Sequence, residues 1–219
     1  MLKIYVCADD GSLLDHTSAI NSLSFGHGEA QRLTKMKNES ARRLSLLAWA
    51  TLHKLLVECG YGSDTDLNVL RTAERKPYFE SSPLHFNLTH TSGAVAAAIS
   101  DSPVGIDIEW LDSSRNTDAI SSRFFSPDEQ NSIISSDDRQ VAFFSIWTKK
   151  EAYAKRLGKG LASICSENLE KDVCFSQYFV ELGENRGILS VCCSSVDQIS
   201  ICDTSGMLKI YEYNKSVQA

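Results

Sequence analysis

The sequence of 219 residues lacks the short cysteine pairs that are typical of zinc sites and redox dithiols. Its seven cysteines are scattered, and no CxxC pair occurs among them. An odd, dispersed set of cysteines also argues against a disulfide framework. We therefore expect reduced thiols and a cytoplasmic location.

Long apolar runs and an excess of basic residues are absent as well. The longest apolar run, "AVAAAI" at residues 94–99, is too short to cross a membrane. The opening "MLKIYVCADDG" has neither the basic start nor the apolar core of a signal peptide, so we expect no membrane partner. The net charge of −6 leaves no broad basic surface for nucleic acid. A content of 42% hydrophobic and 23% charged residues is that of an ordinary globular protein.

Helical and strand-like patterns are mixed along the chain without regular alternation. Residues 38–59 and 138–157 have helical periodicity, and "SPDE" at residues 126–129 is a helix-start signature. Residues 84–101 predict two strands joined by a turn, and four more strands follow residue 172. The class is therefore α+β. Ser102–Pro103 is the best domain boundary, which predicts halves at 1–102 and 103–219.

The stretch "VGIDIEW", residues 104–110, carries two acids within a strand pattern. Alternation directs Val104, Ile106 and Ile108 to one face, and Asp107 and Glu109 to the other. One interpretation is an ordinary half-buried strand with an acidic, solvated face. The other is a pair of carboxylates that binds a cation.

A second informative stretch is "FFSIWTKKEAYAKRLGKGL", residues 143–161. On a helix, Trp147, Glu151 and Lys155 lie near one face. Glu151 and Lys155 also fit a common surface ion pair, which contributes little stability. Five cations nevertheless concentrate here in an acidic protein, which favours a phosphate or an acidic partner: Lys149, Lys150, Lys155, Arg156 and Lys159.

The two stretches together predict a metal site. If Glu151 faces Asp107 and Glu109, the three carboxylates repel one another unless a cation lies between them. Hard oxygen ligands without a histidine or cysteine cluster select Mg²⁺, with Mn²⁺ as an alternative. Mg²⁺ takes further ligands from substrate phosphates, which Lys155 can also reach. The chemistry indicated is metal-assisted transfer at a pyrophosphate.

These stretches resemble the signature segments of the 4′-phosphopantetheinyl transferases, in particular of the larger surfactin-synthetase-activating type. The family carries "GIDIE" and "WTxKEAxxKxxGxGL" segments, which stand here as "VGIDIEW" and "WTKKEAYAKRLGKGL". Three further segments agree in order and spacing: "RKPYF" at 75–79, "FNLTHT" at 86–91 and "FFSPDE" at 124–129. The resemblance covers about residues 75–161 well and the flanks loosely.

The resemblance implies a monomer of two similar halves related by a pseudo-twofold, each a small, mainly antiparallel sheet with helices. Coenzyme A would bind in the cleft between them as co-substrate. The implied reaction moves the 4′-phosphopantetheine arm from coenzyme A to a serine of an apo acyl or peptidyl carrier protein. It releases adenosine 3′,5′-bisphosphate.

The resemblance also implies a role for each matching residue. Asp107, Glu109 and Glu151 match the metal-binding acids, and Glu151 is also the expected base for the attacking serine. Lys155 matches the lysine that binds the pyrophosphate and the leaving group. The remaining coenzyme A contacts would be Lys76, Thr89 and His90.

Two positions depart from the family pattern. Thr89 stands where serine is usual, and Ala48-Trp49 stands where a Gly-Arg pair is frequent, so a basic contact is missing there. Candidates to replace that charge are Lys35, Lys37, Arg42 and Arg43. We interpret Trp147 as a core residue rather than a substrate contact.

Two other functions fit parts of this pattern. One is a carrier-protein-binding module that keeps the shape without catalysis, and the intact acids and Lys155 argue against it. The other is a different Mg²⁺-dependent enzyme on nucleotide phosphates, such as a hydrolase, but no Walker-type glycine loop is present. The carrier is not identified by the sequence, and residues 149–159 are the expected landing zone for an acidic carrier.

Overall fold

The computed structural model describes residues 1–11, 26–61, 67–164, 173–195 and 199–213. It confirms the α+β class. The helices of this part are α1 Gly26–Thr34, α2 Glu39–Glu58, α3 Thr117–Phe124, α4 Pro127–Ile134 and α5 Arg139–Leu157. The strands are β1 Leu2–Ala8, β2 Val69–Arg71, β3 Pro77–Phe79, β4 His85–Thr91, β5 Ala94–Ser100, β6 Gly105–Trp110, β7 Cys174–Leu182, β8 Asn185–Cys193, β9 Ile199–Asp203 and β10 Lys209–Glu212.

Eight of the strands form two four-stranded sheets. The first has the order β4-β5-β1-β9, and the second has the order β10-β7-β8-β6. Every pair is antiparallel except β1 with β9, which run parallel. A strand from the last third of the chain thus completes the sheet that the first strand begins. β2 and β3 form a separate short hairpin.

The two sheets pack face to face and are each covered on the outside by a long helix. The shared core between the sheets is apolar and includes Ile4, Val6, Ala96, Ala98, Ile106, Ile108, Val180, Leu189 and Val191. Helix α2 buries Trp49 and Leu52 against Phe86 of the first sheet. Helix α5 covers the outer face of the second sheet, where Ala152 packs with Cys192.

The predicted helix ends are confirmed by their caps. Asn38 caps α2 by accepting from the backbone nitrogen of Ala41 over 2.9 Å. Ser126 and Glu129 form the expected capping box at the start of α4. Gly158 ends α5 in the left-handed conformation at φ 69°.

The predicted β4–β5 hairpin is also confirmed. Gly93 occupies its turn at φ 76°, a conformation that glycine adopts without strain. Within the described ranges, no helix has the length and apolar character needed to span a membrane. Cys165 lies outside the described residues, and within the described ranges no disulfide joins the other six cysteines.

Candidate active site

Close contact between β6 and α5 creates the acidic site. A Cβ at Gly105 would overlap the carbonyl oxygen of Ala152 and the backbone nitrogen of Arg156. Glycine at this position therefore lets the helix backbone approach the strand. As a result, the outer face of β6 is covered by α5 and is not the solvated face of an ordinary edge strand.

Lys155 and Thr89 hold the first acid, Asp107. Lys155 Nζ lies 2.6 Å from Asp107 Oδ1, and the carboxylate side chain is only 7% exposed. Thr89 Oγ1 accepts from Lys155 Nζ over 3.0 Å and donates to Asp107 Oδ1 over 3.1 Å. The other oxygen, Asp107 Oδ2, is buried and has no hydrogen-bond partner among the described residues.

The second acid, Glu109, is bound by Arg115, a residue that the sequence did not single out. Arg115 donates to both carboxylate oxygens over 3.1 Å. Trp147 Nε1 adds a third bond to Glu109 Oε1 over 3.3 Å. Trp147 also stacks on Phe143 with centroids 6.3 Å apart and packs, half-buried, against the aromatic core cluster, which supports its interpretation as a core residue. Its ring nitrogen nevertheless contacts the site.

The third acid, Glu151, is close enough to Asp107 and Glu109 for their negative charges to act on it. Burial raises the pKa of Glu151, and the negative charge of Asp107 raises it further, while Lys155 acts against both. Glu109 contributes to the same rise. The predicted helix face of Trp147, Glu151 and Lys155 therefore meets the acids of β6.

Carboxylate oxygens dominate the donor set, which suits Mg²⁺. The buried Oδ2 of Asp107 lacks a partner in the part of the chain that the structure describes, and Glu151 is destabilised in its charged form, so an added cation would satisfy both. The arrangement is not a closed cage, since no group of three or more such ligands in the described ranges is spaced to hold an ion. Mg²⁺ commonly takes one or two carboxylates and completes its shell with water and phosphate, so the residues fit it.

The site lies where the edge strands of the two sheets meet. Asn87 Oδ1 on β4 accepts from the backbone nitrogen of Ile106 on β6 over 2.9 Å. Thr89 Oγ1 accepts from the backbone nitrogen of Ile108 over 3.4 Å. These side chains join β4 to β6 and so couple the first sheet to the acids.

Lys76, a predicted coenzyme A contact, lies at the C-terminal end of α5. Its Nζ donates to the carbonyl oxygens of Arg156 over 2.7 Å and of Val104 over 3.5 Å. Burial, followed by repulsion from Arg156, lowers the pKa of Lys76 to about 8. Its position at the negative end of the helix dipole favours a structural contribution in the free protein.

His90 borders a cavity of about 180 Å³ beside α2, together with Arg32, Arg71 and Trp49. Its side chain reaches solvent, yet protein atoms around the ring lower the pKa of His90, as does the nearby charge of Lys155. The two arginines share the buried carboxylate of Glu29, at 2.6 Å from Arg32 and 2.8 Å from Arg71.

The sequence did not predict that Arg32 and Arg71 bind the same carboxylate, because only the fold brings α1 next to β2. Burial would raise the pKa of Glu29, but hydrogen bonds from Arg71 and Arg32 outweigh it and lower that pKa.

Arg43, one of the candidates to replace the charge of the Gly-Arg pair, instead binds Asp9 through two nitrogens, at 2.7 and 2.5 Å. Ala48 and Trp49 are both buried, and Trp49 contacts Phe86 edge to face.

The predicted cationic segment of α5 is less exposed than its composition suggests. Lys150 is 3% exposed and pairs with Glu129 over 3.1 Å. Lys155 is bound to Asp107, whereas Lys159 is exposed beyond the helix end. Lys150 therefore offers no charge to an approaching partner.

Comparisons with known proteins concern the same part of the chain. Residues 103–192 match the family model of the 4′-phosphopantetheinyl transferase superfamily. The chain is 45% identical over 91 residues to the 4′-phosphopantetheinyl transferase psf-1 of Bacillus pumilus, which is 40% of this chain and 38% of that protein. A 4′-phosphopantetheinyl transferase of Bacillus subtilis is 37% identical over 90 residues, with 40% and 39% covered.

A longer match is that to the 4′-phosphopantetheinyl transferase gsp of Aneurinibacillus migulanus, which is 34% identical over 125 residues. It covers 53% of this chain and 49% of that protein, so the chain spans less than half the length of each of these three relatives. The matched family region contains Asp107, Glu109, Glu151 and Lys155. Residues 103–192 of the chain are therefore similar to the 4′-phosphopantetheinyl transferase superfamily.

Proposed function

We propose that the protein transfers the 4′-phosphopantetheine arm of coenzyme A to a serine of an apo acyl or peptidyl carrier protein, with Mg²⁺. The observation that carries the proposal is the 2.6 Å ion pair of Lys155 with Asp107 beside Glu151, in which the buried Oδ2 of Asp107 has no partner among the described residues. The names of the relatives support the same reaction class.

The proposed reaction is an in-line displacement at the phosphorus that carries the arm. The serine oxygen forms a bond to this phosphorus, and the bond to the bridging oxygen of the pyrophosphate breaks. Adenosine 3′,5′-bisphosphate leaves with that oxygen. Glu151 takes the serine proton, directly or through a water molecule, and its raised pKa makes it a better base than an exposed glutamate.

The other site residues stabilise charge rather than form bonds. A bound Mg²⁺ would neutralise the charge that builds on the pyrophosphate oxygens. Lys155 stabilises the leaving bisphosphate, and Thr89 orients Lys155 through its 3.0 Å bond. Asp107 binds the same ammonium group at 2.6 Å.

The cavity beside α2 is the proposed site for the nucleotide phosphates of coenzyme A. Arg32, Arg71 and His90 face it, and the two arginines carry more positive charge than Glu29 cancels. Arginine pairs bind phosphate through parallel hydrogen bonds. We propose that these arginines supply the charge of the missing Gly-Arg pair, and that Lys76 is a further contact for coenzyme A.

Further parts of the proposal concern the whole molecule. We propose halves at 1–102 and 103–219, related by a pseudo-twofold with the active site in the cleft. Support comes from the two four-stranded sheets, each covered by one long helix, although β9 lies in the first sheet. We also propose a monomer located in the cytoplasm. The free thiols favour that compartment.

The test is intact-protein mass spectrometry of a panel of apo carrier proteins incubated with the protein, coenzyme A and Mg²⁺. The expected result is a gain of one phosphopantetheine mass that EDTA and Asp107→Ala both remove. Coenzyme A binding without any mass gain would favour a carrier-binding module, and coenzyme A turnover without a carrier would favour a hydrolase.

The cavity is tested separately by the KM for coenzyme A. Arg71→Gln and Arg32→Gln should each raise that KM about tenfold, by loss of a charged hydrogen bond. Lys54→Gln is the matched control, because Lys54 is an exposed cation on α2 away from the cavity lining. A KM for coenzyme A that is the same for all three variants would show that the cavity does not bind coenzyme A.

A further inference from the structure

Arg115 is a second fixed cation in the acidic site, beside Lys155. It lies in the turn between β6 and α3, where Asp112 Oδ1 accepts from the backbone nitrogen of Ser114 over 2.8 Å. Its guanidinium binds both oxygens of Glu109 and lies 5.3 Å from the ring centroid of Phe144 on α5. Strand, turn and helix therefore hold the arginine in one place.

Side-chain cations neutralise two of the three acids in the free protein. Lys155 binds Asp107 at 2.6 Å, and Arg115 binds Glu109 through two parallel bonds of 3.1 Å. Trp147 Nε1 donates a further hydrogen bond to Glu109 Oε1. A divalent cation that approaches Asp107 Oδ2 or Glu151 consequently meets two positive charges as well as the acids.

We propose that Arg115 is a positioning residue that holds Glu109 in place and weakens the binding of a divalent cation to the protein without co-substrate. The inference rests on the proposed function, because the pyrophosphate of coenzyme A brings the negative charge that offsets both side-chain cations. The ion would then bind tightly only together with the pyrophosphate. Two like charges a few ångströms apart in a partly buried site repel each other strongly enough to weaken the binding of a cation.

The test is a titration of the full chain with Mn²⁺, in which the free ion is measured by its electron paramagnetic resonance signal. Without coenzyme A, Arg115→Gln should bind Mn²⁺ about tenfold more tightly than the wild type, because one repelling charge is gone. Arg115→Lys keeps the charge and should stay within about twofold of the wild type. Coenzyme A should increase the Mn²⁺ affinity more in the wild type than in Arg115→Gln.

Arg139→Gln is the matched control. Arg139 is exposed and lines the same cavity of about 390 Å³ as Arg115, at the start of α5. Its removal should leave Mn²⁺ binding unchanged. An equal gain in affinity for Arg139→Gln would show that general surface charge, and not Arg115, controls the ion.

Unchanged or weaker Mn²⁺ binding by a folded Arg115→Gln would overturn the inference. If that variant does not fold, the wild type decides the question, since an Mn²⁺ affinity that coenzyme A does not increase would overturn it equally. Absence of Mn²⁺ binding in every form, including the wild type with coenzyme A, would overturn both this inference and the metal part of the proposed function. Failure of carrier modification alone leaves the Mn²⁺ result intact, so the two failures are distinguishable.

Discussion

Lys155 on α5 and Asp107 on β6 are joined by an ion pair of 2.6 Å, and Thr89 on β4 bonds to both of them. This triangle links the first sheet, the second sheet and the long helix at one point. Because it is mostly buried, loss of one partner leaves the others with unmet charge or hydrogen bonds. The stability of the contact between the two sheets and the geometry of the site therefore depend on the same three residues.

Thr89→Val tests the triangle. Valine keeps the shape of threonine but removes the hydroxyl that contacts Lys155 and Asp107, so we expect a loss of about 1–3 kcal/mol in the free energy of unfolding. Thr89→Ser should stay close to the wild type, because serine retains the hydroxyl. Urea unfolding of both variants measures the difference, and a loss in Thr89→Ser without one in Thr89→Val would show that the methyl group matters rather than the bond.

Gly105→Ala tests the approach of α5 to β6. The added Cβ would overlap the backbone of Ala152 and Arg156, which a side-chain rotation cannot relieve. We expect a loss of more than about 3 kcal/mol in the free energy of unfolding, or failure to fold. Gly28→Ala is the matched control, because a Cβ at Gly28 on α1 meets nothing within 4 Å. Thermal melts that coincide for wild type and Gly105→Ala would contradict the account.

Glu151→Gln tests the proposed base. Glutamine keeps the size of the side chain but cannot accept the serine proton, so the transfer rate should fall at least about 100-fold. The melting temperature should not fall, because burial and Asp107 disfavour the charged form of Glu151. Asp128→Asn on the exposed side of α4 serves as the control. Near-normal turnover by a folded Glu151→Gln protein would exclude Glu151 from proton transfer.

The lowered pKa of Lys76 predicts that the stability of the protein changes with pH in the alkaline range. Its pKa is about 8 in the folded chain and 10.5 ordinarily, so the unfolded chain binds more protons between these values and stability rises with pH there. The stability linked to this group is complete above about 10.5 and is lost as the pH falls through about 8.

The measurement compares the melting temperatures of wild type and Lys76→Met at pH 7.5 and pH 10. The wild type should gain relative to the variant at the higher pH, and the thiols and tyrosines common to both proteins cancel in the comparison. A constant difference across the two pH values would show that Lys76 is not desolvated.

Several elements could be predicted from local sequence because their signals are local. The capping box at Ser126, the cap at Asn38 and the stop at Gly158 depend on residues within one helical turn. The alternation of residues 104–110 likewise separates the core face of β6 from its acidic face. Helix α3 is only 8 residues long and has no fully buried residue, and it was not anticipated.

The sequence by itself placed Asp107 and Glu109 on one face of a strand, and Glu151 and Lys155 on one face of a helix, because residue spacing fixes these faces. That the two faces belong to one site was implied by the family resemblance. Only the tertiary structure decided which cations neutralise the acids. Arg115 reaches Glu109 because a turn folds back after β6, and Arg71 meets Glu29 because β2 packs near α1. Such pairs depend on the path of the chain through space, and the repeat of a helix or strand carries no information about that path.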